Sequence, residues 1–164
     1  MATATYVPLA TTTLGSATGT ITFSSIPSGY TDLKISFAHS FSSGAGYSGY
    51  LQFNGDTGNN YSWTVMSGNG SGTSSTSPTG QGYIQIDGFA VSNSTQPLIS
   101  IIDIFSYTGS TYKTSLISFS GDNNGSGSAS SVVGLWRNTN AITSITLYTG
   151  NTFTAGTKAT LWGI

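Results

Sequence analysis

Apolar and polar residues alternate with a period of two along most of this chain, and that rhythm predicts strands. In DLKISFA, Leu33, Ile35 and Phe37 point one way while Asp32, Lys34 and Ser36 point the other. YLQFN repeats the pattern with Leu51 and Phe53, NYSWTVM with Tyr61, Trp63 and Val65, and YIQID with Ile84 and Ile86. PLISIIDIFSY is denser: Leu98, Ile102 and Ile104 oppose Ile99, Ile101 and Phe105, which predicts a central strand covered on both faces. GTITFSS, YKTSLISFS, SSVVGLW, AITSITLY and KATLWGI supply the remaining candidates. The reading is an all-β, antiparallel β-sandwich of about ten short strands with essentially no helix.

Between the strands lie turn-forming clusters: IPSGY, HSFSSGAGYSG, NGDTGNN, SNSTQP and SGDNNGSGS. The longest separator, Ser67 to Gly82, holds little to bury and reads as a surface loop. The domain division expected is an extended N-terminal arm over 1–17, rich in Thr, carrying Pro8 and suited to lie across a neighbour, followed by one sandwich domain over 18–164.

Charge changes this picture. Only nine of 164 residues are charged, three Lys, one Arg and five Asp, for a net charge of −1. Such a chain has almost no long-range field and cannot neutralise many phosphates, which argues against nucleic acid as a partner. No run of eighteen apolar residues exists, so no membrane insertion through a helix is expected. The N-terminus lacks the basic and apolar regions of a signal peptide. There is no cysteine, hence no disulfide and no thiolate metal site.

Candidate chemistry is sparse. His39 is the only histidine, and no serine stands in a nucleophile-elbow pattern that would pair with it. Asp32, Asp56, Asp87, Asp103 and Asp122 are the whole acid inventory, and their spacing pairs none of them as glycosidase carboxyls. Asp103 alone falls inside a strand, where a hydrogen-bonded or interface carboxylate explains it as well as catalysis does. NGDTGNN and GDNNGSGS offer oxygen ligands for calcium but lack a bidentate Glu, and Asp or Asn before Gly also simply makes turns. GAGYSG (44–49) matches a dinucleotide-binding string with no helix to follow it, and the sequons at Asn60, Asn69, Asn93 and Asn124 follow from composition. The expectation is a protein with no catalytic residues, no metal site and no cofactor. Tyr47, Tyr50, Tyr61, Trp63, Tyr83, Tyr107, Tyr112, Trp136, Tyr148 and Trp162 sit among neutral hydrogen-bonding residues, the chemistry of sugar-binding surfaces and of uncharged interfaces alike.

Sheets usually guard their edges with Lys, Pro or inward charges. Four cations cannot guard the edges of about ten strands, so the rims are expected to be covered by another copy or a large partner. The closing KATLWGI fits either a central strand or a subunit contact.

The strings TTTLGS, ITFSSIPSGYTDL, LQFNGDTGNNYSW, IIDIFSYTGSTYKT and VVGLWRNTNAITSITLYTGNTFTAGTKATLWGI occur here in that order, and through nearly its whole length the chain resembles small all-β virion proteins of tailed bacteriophages, including phages of aquatic bacteria and cyanobacteria. LQFNGDTG-x-NY and GLW-x-x-T-x-AITSIT are the most specific parts. The resemblance implies a jelly-roll-like sandwich, often a homotrimer, carried on the virion surface after assembly in the bacterial host cytoplasm. It implies a capsid decoration (cement) protein contacting the major capsid protein or another virion protein, or else the tip of a tail fibre that binds host glycans. It brings no catalytic residue with it.

Overall fold

The computed structural model describes residues 5–42, 48–87, 96–122 and 124–164. Among them are twelve strands and no helix: β1 (Val7–Thr13), β2 (Thr18–Phe23), β3 (Leu33–His39), β4 (Gly49–Phe53), β5 (Tyr61–Gly68), β6 (Thr73–Thr76), β7 (Ile84–Gln85), β8 (Leu98–Phe105), β9 (Lys113–Gly121), β10 (Ser128–Trp136), β11 (Ile145–Phe153) and β12 (Lys158–Gly163). They form an eight-stranded sheet in the order β1-β12-β3-β8-β9-β10-β5-β6 and a four-stranded sheet in the order β2-β11-β4-β7. Every pairing is antiparallel. The fold is a β-sandwich, and its strand order is compatible with a jelly-roll-like path.

The period-two pattern does what it predicts. Leu33, Ile35 and Phe37 of β3, Ile102 and Ile104 of β8, Ile117 and Phe119 of β9 and Val132 of β10 join Leu51 and Phe53 of β4 and Ile145 and Leu147 of β11 in one buried cluster. Each such side chain contributes on the order of 1.5–3 kcal/mol by leaving water. The two sheets pack tightly where Ile84 of β7 lies over Gly134 of β10: a Cβ on that glycine would stand 2.7 Å from Ile84 Cδ1 and Cγ2 and 2.7 Å from Ser115 Oγ.

All ten expected strands are present, and three details differ from the sequence reading. β8 is central, between β3 and β9, but one of its faces is open: Ile99 and Phe105 are exposed. Alternation reports which side a residue faces, and an apolar residue on the outer side does not by itself bring a cover. The expected loop from Ser67 to Gly82 contains β6, whose four residues are all exposed, so no hydrophobic signal marks it. It is formed by its turn, in which Asn69 Oδ1 accepts from the amides of Ser71 (3.1 Å) and Gly72 (2.9 Å) and Gly70 takes φ +84°. Within the expected N-terminal arm, Val7–Thr13 forms β1, which pairs with β12 of its own chain as the edge of the large sheet.

KATLWGI is accordingly an inner strand, flanked by β1 and β3. Leu161 is buried, Trp162 points outward with Nε1 donating to Ser36 Oγ at 3.1 Å, and the Tyr30 ring covers Gly163. The amides of Thr31 and Asp32 donate to the Ile164 carbonyl at 2.8 and 3.2 Å.

Candidate interaction surface

The residues singled out for chemistry are spread through the molecule. His39 is sealed in an aromatic cage, stacked on Phe37 at 4.2 Å with Phe41 and Phe153 edge-on at 5.4 and 5.9 Å. Among the described residues neither ring nitrogen has a hydrogen-bond partner, and no serine or aspartate there is joined to it. Desolvation lowers its pKa to about 4, with a smaller opposing influence from the Phe37 backbone.

The aspartates lie apart in role as well as place. Asp32 Oδ1 accepts from the Ser106 amide at 2.6 Å, and Asp122 Oδ1 from the Gly125 amide at 2.8 Å. Asp87 is fully buried and accepts from the Gly49 amide at 3.0 Å, and burial pushes its pKa up to about 6 against those hydrogen bonds. Asp103 is on the outer face of the large sheet, where Lys34 Nζ donates to it at 2.6 Å. Among the described residues no three His or Asp side chains cluster as metal ligands. Tyr47, Asn93, Asn123 and the first four residues of GAGYSG lie outside the described residues.

Asp56 belongs to a latch. Asn54 and Gly55 both have positive φ, +53° and +66°, and close a tight turn in which the Asp56 amide donates to the Phe53 carbonyl at 2.9 Å. The Asp56 carboxylate then receives Gly58 N, Asn60 Nδ2 and, from β10 across the chain, Trp136 Nε1 at 2.7 Å. Burial alone would raise its pKa, but the donors outweigh burial and hold it below the usual carboxylate value. Asn54 completes the link: its Oδ1 accepts from Thr143 N and Ser144 N, and its Nδ2 donates to the Ala141 carbonyl at 2.8 Å. LQFNGDTGNNY and GLWRNTNAITSIT, the two most specific strings of the sequence, are thus the two halves of one structural clasp. In NGDTGNN the Asp56 carboxylate thus serves the turn, with hydrogen-bond donors from Gly58, Asn60 and Trp136 around it.

Lys113, which no sequence signal marked, is buried beneath the clasp. Its Nζ donates to the carbonyls of Gly109 (2.6 Å), Thr111 (2.5 Å) and Thr139 (3.2 Å), which satisfies all three protons while burial lowers its pKa.

What remains open are surfaces. Among the described residues, the outer face of the eight-stranded sheet carries five of the seven large apolar side chains most exposed to solvent: Met66 (67%), Val133 (50%), Phe105 (43%), Ile99 (39%) and Leu116 (39%). They are contiguous by register. Val133 stands opposite Leu116, Leu116 opposite Asp103, and Phe105 and Ile101 flank Asp103 along β8. On the other side Val133 opposes Thr64, next to Met66 along the same face of β5. Between them run hydroxyls, as in the row Thr160, Ser36, Ile101, Ser118, Ser131 and Met66. Charge on this face is limited to the Lys34–Asp103 pair near its middle and Lys158 at the start of β12. Three shallow depressions, of about 510, 400 and 290 Å³, mark the same face.

The rims are the second open feature. β1 and β6 edge the large sheet, β2 and β7 the small one, and none of the four holds a charged residue. Pro8 and a bulge between Pro8 and Ala10 interrupt β1, and β6 and β7 are only four and two residues long. β2 has neither device.

A third lies on the outer face of the small sheet, where Tyr50 contacts Tyr83 and Tyr148 with ring centroids 4.5 and 5.1 Å apart. Tyr148 faces Thr20 on one side and Tyr50 on the other, and Gln85 follows across β4. Desolvation and the neighbouring rings push the Tyr148 hydroxyl up to about 12. The remaining aromatics named in the sequence divide between core and surface: Tyr61, Trp63, Tyr107 and Trp136 are buried, Trp162 is half-buried and Tyr112 exposed. No protein-family model, curated protein or solved structure matches the chain.

Proposed function

We propose that this protein is a structural component of a phage particle, a capsid decoration protein that fastens onto the assembled head and bridges neighbouring copies of the major capsid protein. The observation that carries the reading is the uncharged rim. Four edge strands without one Lys, Arg or Asp leave backbone donors and acceptors available to a neighbouring surface, and β2 presents a full strand of them. The resemblance to phage virion proteins supports it. A protein that binds only the assembled shell stabilises the shell by mass action, which suits a head under outward pressure from packed DNA.

The role asks for no catalytic step, and none is assigned: the His39 imidazole and the Asp87 carboxylate are sealed in the interior. The test is to mix the recombinant chain with undecorated heads. Cosedimentation and a raised melting temperature of the heads are expected, and heads that neither bind the protein nor gain stability overturn the reading.

A second reading is favoured by one observation, the Tyr50–Tyr83–Tyr148 cluster. Aromatic rings beside neutral hydrogen-bonding side chains stack on the C–H faces of sugars, which would make the small sheet the glycan-binding face of a tail-fibre tip. Binding on a glycan array that disappears in Tyr148→Ala supports this reading, and a blank array removes it.

A further inference from the structure

We propose that the outer face of the eight-stranded sheet is covered by the same face of a second copy of this chain, two sheets stacked about a two-fold axis. The proposal deepens the assembly reading by naming one partner, and leaves the rims and the small sheets of the pair free for the shell.

Three observations favour a second copy as the occupant. The first is area. Eight strands about 4.8 Å apart, most of them six to nine residues long at about 3.4 Å per residue, make a face of roughly 850 Å², close to the ~800 Å² per partner of a stable dimer.

The second is charge. Lys34 and Asp103 stand side by side between the third and fourth of the eight strands. A two-fold axis passing near them sets cation against anion from the other copy, so the face is complementary to itself. Lys158, at the first residue of β12, falls toward the margin.

The third is the pattern of β8. Its sequence has apolar residues on both faces, as in a strand buried on both sides, yet within one chain only the Leu98–Ile102–Ile104 side is covered. A stacked second sheet supplies the missing cover for Ile99, Ile101 and Phe105. Alternating hydroxyls and branched aliphatics give the low relief that two sheets need to approach to about 10 Å.

The resemblance implies trimers, but a flat face that covers itself closes after two copies, whereas a ring of three needs two different complementary patches.

The experiment is sedimentation equilibrium on the full chain from 1 to 100 µM, as wild type and as variants of exposed outer residues. Wild type is expected at twice the chain mass. Val133→Asp places a carboxylate in the covered centre and should raise the dissociation constant about 100-fold or more, with an unchanged circular dichroism spectrum. Lys34→Glu gives an all-acidic pair of residues and Asp103→Lys an all-basic pair. Each alone should be monomeric, and an equimolar mixture should form mixed dimers.

A wild type that is monomeric or trimeric, a dimer indifferent to Val133→Asp, or charge variants that do not recombine would each overturn the proposal. Monomers that still bind undecorated heads overturn this inference alone, and dimers that ignore heads overturn the decoration reading alone.

Discussion

His39 and Asp87, both sealed inside the sandwich, respond to acid in opposite senses. The His39 pKa falls from 6.5 to about 4 on folding, so below pH 6.5 the unfolded chain takes up a proton that the folded one refuses. Stability present above pH 6.5 is lost on the way down to about pH 4, by about 3 kcal/mol. The Asp87 pKa rises from 3.8 to about 6, so below pH 6 the folded chain protonates first. Its contribution grows by about 3 kcal/mol between pH 6 and 3.8. The two nearly cancel between pH 6 and 4. Urea unfolding at pH 7, 5.5 and 4.5 should therefore find His39→Leu gaining stability on acidification and Asp87→Asn losing it, with the wild type almost level between pH 5.5 and 4.5. Parallel curves for the two variants would show that these residues do not set the acid response. Neither environment was legible in the sequence. His39 stands at an inward position of an alternating strand, which says that it is buried. That Phe119 and Phe153 close over it depends on strands 80 and more than a hundred residues further along the chain.

At the scale of the strand and the turn, the clasp between the β4–β5 loop and the end of β10 makes a sharp prediction. Trp136→Phe removes the Nε1 donor from Asp56 while keeping the ring stacked on Tyr61, and should cost about 1–3 kcal/mol. Asp56→Ala should cost a similar amount, and the double variant clearly less than the sum, as a double-mutant cycle by chemical denaturation would read. Additive losses would mean that the two do not act as a unit. Gly134→Ala tests the crossing of the sheets, because its methyl group must displace Ile84 or Ser115, and a loss of about 1–3 kcal/mol is expected. The strands themselves were readable wherever one face is buried, as in β3, β4, β5 and β9. β6 was not, since Thr73 to Thr76 bury nothing and are held by a turn and a neighbour. The motif strings were visible, but their joint purpose was not, because Asp56 and Trp136 are 80 residues apart and nothing local to either reveals the other.

For the molecule as a whole, most sheet neighbours are distant in sequence: β1 joins β12, β2 joins β11, and β3 joins both β8 and β12. Sequence periodicity fixes strand faces but carries no record of such an order, which is why the sandwich could be expected and its sheets could not be drawn. The same topology makes folding slow, in the range of milliseconds to seconds. It also makes β12 indispensable, because it alone connects β1 to β3. A chain ending at Thr157 should lose its cooperative thermal transition, and retention of a native transition would show that the last strand is an accessory.

The pairing of β1 with β12 sets Val7 directly across from Gly163, at one corner of the large sheet. A short peptide bridge could therefore close the backbone into a ring, and reopening that ring at the exposed Asn69–Gly72 tip should give a rewired polypeptide that folds to the same architecture. The corner also means that two passengers, one fused ahead of β1 and one behind β12, would emerge side by side, close enough to report on each other by energy transfer.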